Sequence, residues 1–473
     1  MKKFVSFILL SMVTILILSC AGQKNEPVNT DAGAISESDT ETALYEAPQF
    51  PNKNYDGYEF KILCDTNYNA KYNLVPETIS GEPVNDAAYE RNSKISDQFG
   101  ITFNYLEADS YSALKKSILS DNREFNLVVC HPIMNVVNMI EENLLFNVND
   151  MPYVNLKKPW WNQSIAESFA IKDKLYFVTG DYSMTYQGFV VFLFSKDFIT
   201  DYAYDDPYKL VFDGAWTVDA LNAMAKPVST DINGDGVFND QDQYGLTIFG
   251  QYAHLFMFAM DQKLTVRNAD GIPELAVNTP RMIAIVEKYY DLVKNGNTTF
   301  ISTEGGILKM FKDKRALFTL MDIGCGYGNM RDIPFDFGLI PYPKLNESQE
   351  NYRAGFAGGI FGVPFNCEDP ERTSIILEAL NYESYKILRP AFFDIVLYNK
   401  CLQDEASVKI LTLLHESKVC DFAYNFDKTG LALNILSTVV ETKNSTDFTS
   451  YYASVEDRIN DGLNKIIETV LSR

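Results

Sequence analysis

Between Glu59 and Cys130 the chain alternates between two structural periods, and this alternation limits its fold more than any other feature. Glu59–Asp65 (EFKILCD), Ile101–Glu107 (ITFNYLE) and Phe125–Cys130 (FNLVVC) are short apolar runs of strand length. Two helical stretches lie between them. In the first, Asn85 is the expected N-cap, Ala88, Ile95 and Phe99 share a face, and Gly100 is the stop. The second covers Tyr111–Leu119. Strands alternating with helices predict an α/β fold with a parallel sheet. Ligands of such sheets bind beyond the carboxyl ends of the strands, here Asp65-Thr66 and His131-Pro132.

Ahead of this core stands an export signal. Lys2 and Lys3 precede an apolar stretch, Phe4–Leu18, that ends in Ile17-Leu18-Ser19-Cys20. The stretch is too short and wrongly flanked for a lasting membrane span. A small residue before a cysteine, with a branched apolar residue three places before it, resembles the lipobox of bacterial lipoproteins. That resemblance implies a signal peptide over 1–19, lipidation of Cys20 (palmitate included), and anchorage at the outer, extracellular face of the cell membrane. Residues 21–56 are polar and lack a helical or strand period, so 20–56 reads as a flexible tether. The 417 residues that remain exceed one ordinary core, so two lobes are expected.

Removing residues 1–19 takes two lysines and moves the formal charge from −22 to −24. So acidic a chain excludes nucleic acid and anionic bilayers as partners. Beyond Cys20 there are six cysteines: Cys64, Cys130, Cys325, Cys367, Cys401 and Cys420. None forms a C-x-x-C, and His131, His254 and His415 stand apart, so zinc spacing is absent. Disulfides and buried thiols are both compatible with an exported chain.

Farther along, Lys174–Thr179, Phe189–Phe194, Arg315–Met321 and Phe335–Ile340 read as strands. Pro280–Lys294 reads as a helix, with Thr279 as cap and Gly296 beyond its end. These pieces, in their order, resemble an extracellular solute-binding protein of the family 1 type, the capture component of carbohydrate-class ABC importers. The resemblance covers roughly residues 57–473. It rests on YEFKILCD, GEPVNDAAYERNSKISDQFGITF, LYFVTGDYSMTYQGFVVFLFSKDF, DGAWTVDALNAMAKPVSTDINGDGVFNDQDQYGLT, RALFTLMDIGCG, FDFGLIPYPK and GGIFGVP. It implies a two-lobed periplasmic-binding-protein-like fold (type II) with the ligand cleft between lobes. The N-terminal lobe would take 57–187 and 320–365, and the C-terminal lobe 188–319 and 366–473. It also implies that the strands ending at Cys64 and Cys130 are neighbours. The expected partners are a small carbohydrate solute and an ABC permease, with the protein itself a monomer.

The most local chemistry is a calcium loop over 231–242, DINGDGVFNDQD. Asp231, Asn233, Asp235, the Val237 carbonyl, Asn239 and Asp242 occupy loop positions 1, 3, 5, 7, 9 and 12, with Gly236 at the sharp turn. Position 12 is Asp rather than Glu, which weakens the bidentate contact. No helix pair able to open flanks the loop, so the expected ion is structural. LMDIGCGYG around Asp322 mimics a methyltransferase motif but lacks the βαβ unit that would follow it. No nucleophile elbow or H-E-x-x-H occurs.

Sugar sites pair flat rings with carboxylates and amides that take hydroxyls. On position, the candidate ligand-binding residues are Asp65, Trp160, Trp161, Tyr182, Tyr186, Trp216, Tyr252, Asp322 and Tyr327. The expected function is capture of an oligosaccharide or related solute, without catalysis. The alternatives are a peptide-binding lipoprotein and a surface glycoside hydrolase, whose paired carboxylates would be hidden among plentiful acids.

Overall fold

The computed structural model describes residues 46–66, 74–132, 135–184, 188–356, 358–393 and 404–473, leaving aside the side chains of 325–328. Three parallel strands open the first lobe: β1 (Tyr58–Asp65), β2 (Ile101–Ala108) and β3 (Leu127–Cys130). β1 lies between the other two, with Tyr58 opposite Ile101 and Leu63 opposite Val128. Helix α1 (Pro83–Phe99) makes the first crossover. It begins two residues before the expected cap, because Pro83 takes the first turn with its fixed φ, and it ends on Gly100 at φ +63°. Helix α2 (Ser110–Leu119) is capped by Asp109, which accepts from Ser112 N. Helices α3 (Val136–Glu141) and α4 (Gln163–Phe169) follow on the same lobe.

Five strands form the second sheet: β4 (Val190–Ser195), β5 (Tyr244–Phe249), β6 (Thr299–Ser302), β7 (Ala316–Asp322) and β8 (Phe337–Ile340). Their order is β8-β4-β7-β5-β6, with β4 antiparallel to both neighbours and β7, β5 and β6 parallel. All six residues of β4 are buried, as the unbroken apolar run VVFLFS requires. Helix α5 (Ala253–Ala259) follows β5. Helix α6 (Pro280–Lys294) precedes β6 and is capped by Thr279 as expected.

The strand β9 (Ile360–Gly362) corrects the expected boundaries. It pairs antiparallel with β3 in the first lobe, whereas β7 and β8 pair with β4 in the second. Residues 320–356 therefore stay with the second lobe, and the chain returns at 356–360 rather than near 320. The physical reason is register: β7 ends at Asp322 beside Val190, at the hinge edge, and the chain then folds back as β8. The assignment of 366–473 wholly to the second lobe is corrected too. Helix α7 (Pro370–Glu383) packs on α1 in the first lobe. Helix α8 (Glu405–Glu416) lies on β8 in the second lobe, where Asp404 accepts from the Tyr208 hydroxyl at 2.7 Å. Helix α9 (Phe422–Phe426) touches α3, and α10 (Phe448–Leu471) packs on both α3 and α6.

Cys64 and Cys130 stand on paired strands, but Cys64 is opposite Val129. Cys130 therefore points to the other face of the sheet, and the sulfurs do not meet. Among the described residues Cys64, Cys130, Cys367 and Cys420 form no disulfide. Among them, too, no helix is long and apolar enough to cross a membrane.

Candidate functional site

Two registers locate the space between the lobes. Ile360 sits opposite Cys130, so β9 begins where β3 ends. Val190 sits opposite Asp322, so β4 begins where β7 ends. Gly188 and Gly358 cross between these points so closely that a Cβ on Gly188 would fall 2.6 Å from the Gly358 Cα. The carboxyl ends of β1 and β3 thus face the carboxyl ends of β5, β6 and β7 across one hinge, which is where an α/β sheet receives ligands.

On the second-lobe side, half-buried Tyr252 packs its ring on Phe249 and sets its hydroxyl 3.5 Å from Glu304 Oε1. Asp322, also half-buried, ends β7 at the hinge. These two predicted residues stand at or just beyond the carboxyl ends of β5 and β7. His131 on the first lobe acts electrostatically on His254 of α5, whose ring stacks at 5.0 Å on Tyr424 of α9. Burial, with His131 adding to it, lowers the His254 pKa to about 4, and its Nε2 is buried without a hydrogen bond.

Five other predicted residues make contacts within the fold, Trp161 while also lining the cavity described below. Trp160 and Trp161 are buried, and their indole N–H groups donate to Glu378 Oε1 and Oε2, both at 2.9 Å. Burial raises the Glu378 carboxyl to about 6, against hydrogen bonds from Asn155 N and the two indoles. Trp216 is fully buried and donates to the Pro341 carbonyl. Tyr182 is fully buried, with the Arg91 guanidinium 4.9 Å from its ring centroid. Asp65 accepts from Ser110 N and Oγ at 3.1 and 2.7 Å, holding the start of α2. Tyr186, the Tyr327 side chain and Cys20 lie outside the described residues.

A polar cavity of ≈ 240 Å³ opens beside the hinge, lined from the first lobe by Trp161, Asn162, Asp181 and Arg389, and from the far side by His415 and Lys418. Asp181 is 4% exposed, and its Oδ2 has no hydrogen bond. Arg389 Nη1 stands 3.7 Å from that oxygen. Burial raises the Asp181 carboxyl to about 7, opposed by Arg389 and Lys418. Arg389 Nη2 lies 2.9 Å from His415 Nε2, and Lys418 Nζ lies 3.0 Å from His415 Nδ1. Sequence reasoning missed Asp181, Arg389, His415 and Lys418. Tyr182, which the sequence does single out, is the chain neighbour of Asp181.

The loop 231–242 closes on itself. Asp231 accepts from Gly234 N and Gly236 N at 2.7 and 2.8 Å, and Asp242 accepts from Ile232 N and Asn239 N at 3.0 and 2.9 Å. Asp235 accepts from Val237 N and from Asn233 Nδ2, while Asn239 Nδ2 donates to the Val237 carbonyl. Gly234 and Gly236 adopt φ of +71° and +77°, the turn that the spacing demanded. The carboxylates are thus turned onto the loop's own N–H groups, each oxygen keeping a further lone pair. Among the described residues no three His, Cys, Asp or Glu side chains are gathered as a metal cluster.

Solved structures carry the same fold. An ABC substrate-binding protein from Listeria monocytogenes in complex with cycloalternan is 13% identical, with 88% of this chain and 99% of that chain covered and a TM-score of 0.53. UgpB from Mycobacterium tuberculosis in complex with glycerophosphocholine is 12% identical, with 87% and 99% covered and a TM-score of 0.56. A cyclic α-maltosyl-1,6-maltose binding protein from Arthrobacter globiformis is 14% identical, with 88% and 100% covered and a TM-score of 0.55. At these identities the likeness establishes the fold, that of two-lobed solute-binding proteins. No family model and no curated protein matches the chain.

Because the folded pKa of His254 lies near 4, below the ordinary histidine value, the unfolded chain binds the extra proton between about pH 6.5 and 4. Stability from this group is complete above that window and falls by about 3 kcal/mol as pH drops through it. His254→Phe should remove that share of the acid loss. Urea midpoints from pH 4.5 to 7.5 check it; equal slopes in both proteins would contradict it.

Proposed function

We propose that the chain is a lipid-anchored solute-binding protein that captures an oligosaccharide or a related polyhydroxy solute between its lobes and delivers it to an ABC importer. The observation that carries this reading is the hinge. Two sets of strand carboxyl ends face one another there, beside a polar cavity in which a buried carboxylate oxygen, Asp181 Oδ2, lacks a hydrogen-bond donor. A sugar hydroxyl is such a donor, and the Arg389 guanidinium alongside supplies the complementary N–H. Tyr252, Glu304 and Asp322 offer further hydroxyl-binding groups on the second lobe. The ligands named with two of the similar structures, cycloalternan and cyclic α-maltosyl-1,6-maltose, belong to the same chemical class, and glycerophosphocholine is a polar solute. These neighbours are binding proteins, which favours capture over hydrolysis. The signal at 1–19 and lipid on Cys20 supply the anchor in this proposal.

A thermal-shift screen against neutral oligosaccharides tests it. At least one should raise the melting temperature, and Asp181→Ala should weaken that ligand about tenfold or more, the weight of one charge-assisted hydrogen bond. Stabilisation by peptides alone, or cleavage of a glycan, would favour the alternative readings instead.

We also propose that loop 231–242 takes Ca²⁺ for structure, through the side chains of Asp231, Asn233, Asp235, Asn239 and Asp242 and the Val237 carbonyl. The support is the complete oxygen spacing and the inward turn of its carboxylates. Calcium at a hundredfold excess over Kd should stabilise the native protein by about 2.7 kcal/mol, and Asp231→Ala should lose most of this. Melting curves with calcium and with a chelator check it; identical native midpoints would end the calcium reading.

A further inference from the structure

We propose that His415 holds Lys418 as an uncharged amine, and that this makes the hinge cavity select neutral polyhydroxy ligands over anionic ones. The inference rests on the carbohydrate reading for its ligand but not for its proton assignment. His415 stands between two nitrogen groups, Arg389 Nη2 at 2.9 Å and Lys418 Nζ at 3.0 Å. A neutral imidazole has one acceptor nitrogen and one N–H, and a cationic imidazole has no acceptor. Arginine does not give up its proton, so Arg389 donates to His415 Nε2. The ring proton therefore sits on Nδ1 and points at Lys418 Nζ. An ammonium there would set donor against donor; an amine presents the lone pair that the contact needs.

The surroundings agree. Lys418 is 5% exposed, and its backbone is fixed by pairing with Ala354, so Nζ has little room to retreat to water. Burial and the Arg389 charge draw its pKa well below the ordinary lysine value, against the pull of Asp181. Burial, with the Arg389 charge adding to it, draws His415 down as well, which keeps the ring neutral. Among the described residues, the charged groups facing the amine include Arg389 and Asp181 from the first lobe, with exposed Glu416 at the end of α8 on the rim; the Phe189 ring lies 5.4 Å from Nζ. With Lys418 uncharged, the partly exposed Arg389 guanidinium faces the buried Asp181 carboxylate one for one. A neutral hydroxyl then finds Asp181 as acceptor and the amine as donor or acceptor. A carboxylate or phosphate would meet Asp181 with only Arg389 to offset it.

Reductive methylation of the protein with ¹³C-formaldehyde places an NMR reporter on each amine, and the native protein alone decides the proton question. One lysine signal should titrate well below the ordinary lysine value of about 10.4 and be missing in Lys418→Met. If every signal titrates within a unit of that value, the assignment is overturned. Maltotriose and trigalacturonate then serve as neutral and acidic probes of matched length. Stabilisation by the neutral probe and at least tenfold weaker binding of the acidic one is expected; equal or tighter binding of trigalacturonate overturns the selectivity. Should neither bind, the selectivity claim and the carbohydrate reading both fail for this class of probe, while the amine titration still stands on its own.

Discussion

The close crossing of Gly188 and Gly358 is the constraint on which the other features depend. Two backbones pass where a single Cβ would collide with a main-chain atom 2.6 Å away. The pairings Ile360–Cys130 and Val190–Asp322 then start β9 and β4 immediately beyond the crossing. Both sheets consequently present their carboxyl ends to the same gap. Thr179, which donates to the Gly359 carbonyl at 2.7 Å, holds the outgoing and returning segments together on the first-lobe side.

The C-terminal segment adds a second connection between the lobes. On the first lobe Glu141 lies 3.0 Å from Lys428 and 3.3 Å from Lys465, and Arg473 donates to the Ile140 and Glu141 carbonyls. On the second lobe Tyr289 donates to Glu441 at 2.7 Å. The apolar stripe of α10, from Phe448 and Tyr452 through Ile459 and Ile466, lies between these contacts. Ion pairs whose lysines are exposed, such as those of Glu141 with Lys428 and Lys465, contribute little stability individually. Their value here is directional, because they fix which face of α10 meets α3 while its buried side chains supply the energy.

The first lobe was legible because its strands are short, apolar and separated by helices, with Gly100 a real stop, although the N-cap expected at Asn85 lies at Glu82, ahead of Pro83. The return boundary was not, because 320–356 is a strand end, the helix Ile323–Met330 and another strand whichever sheet receives them. Only the pairing of β8 with β4 decides its lobe, and pairing is a long-range fact that local composition does not carry. The tryptophans show a related effect. Loop position suggested cleft walls, and Trp161 does line the cavity beside the hinge, but the buried carboxylate of Glu378, more than two hundred residues away, holds both indoles in the fold. Asp181, Arg389, His415 and Lys418 are ordinary charged residues in sequence and become unusual only when three separate segments enclose them. The carboxyl-end positions of Tyr252 and Asp322 could be read because they follow directly from the strands that carry them.

The central claim is that ligand is captured between two lobes that share one hinge. Small-angle X-ray scattering of the protein, with and without an oligosaccharide that raises its melting temperature, tests this directly. A ligand held by both lobes restrains their relative motion and draws the gap closed. The account predicts a smaller radius of gyration at saturation and a weaker effect in Asp181→Ala at the same ligand concentration. Saturable binding that leaves the scattering profile unchanged in the native protein would contradict it.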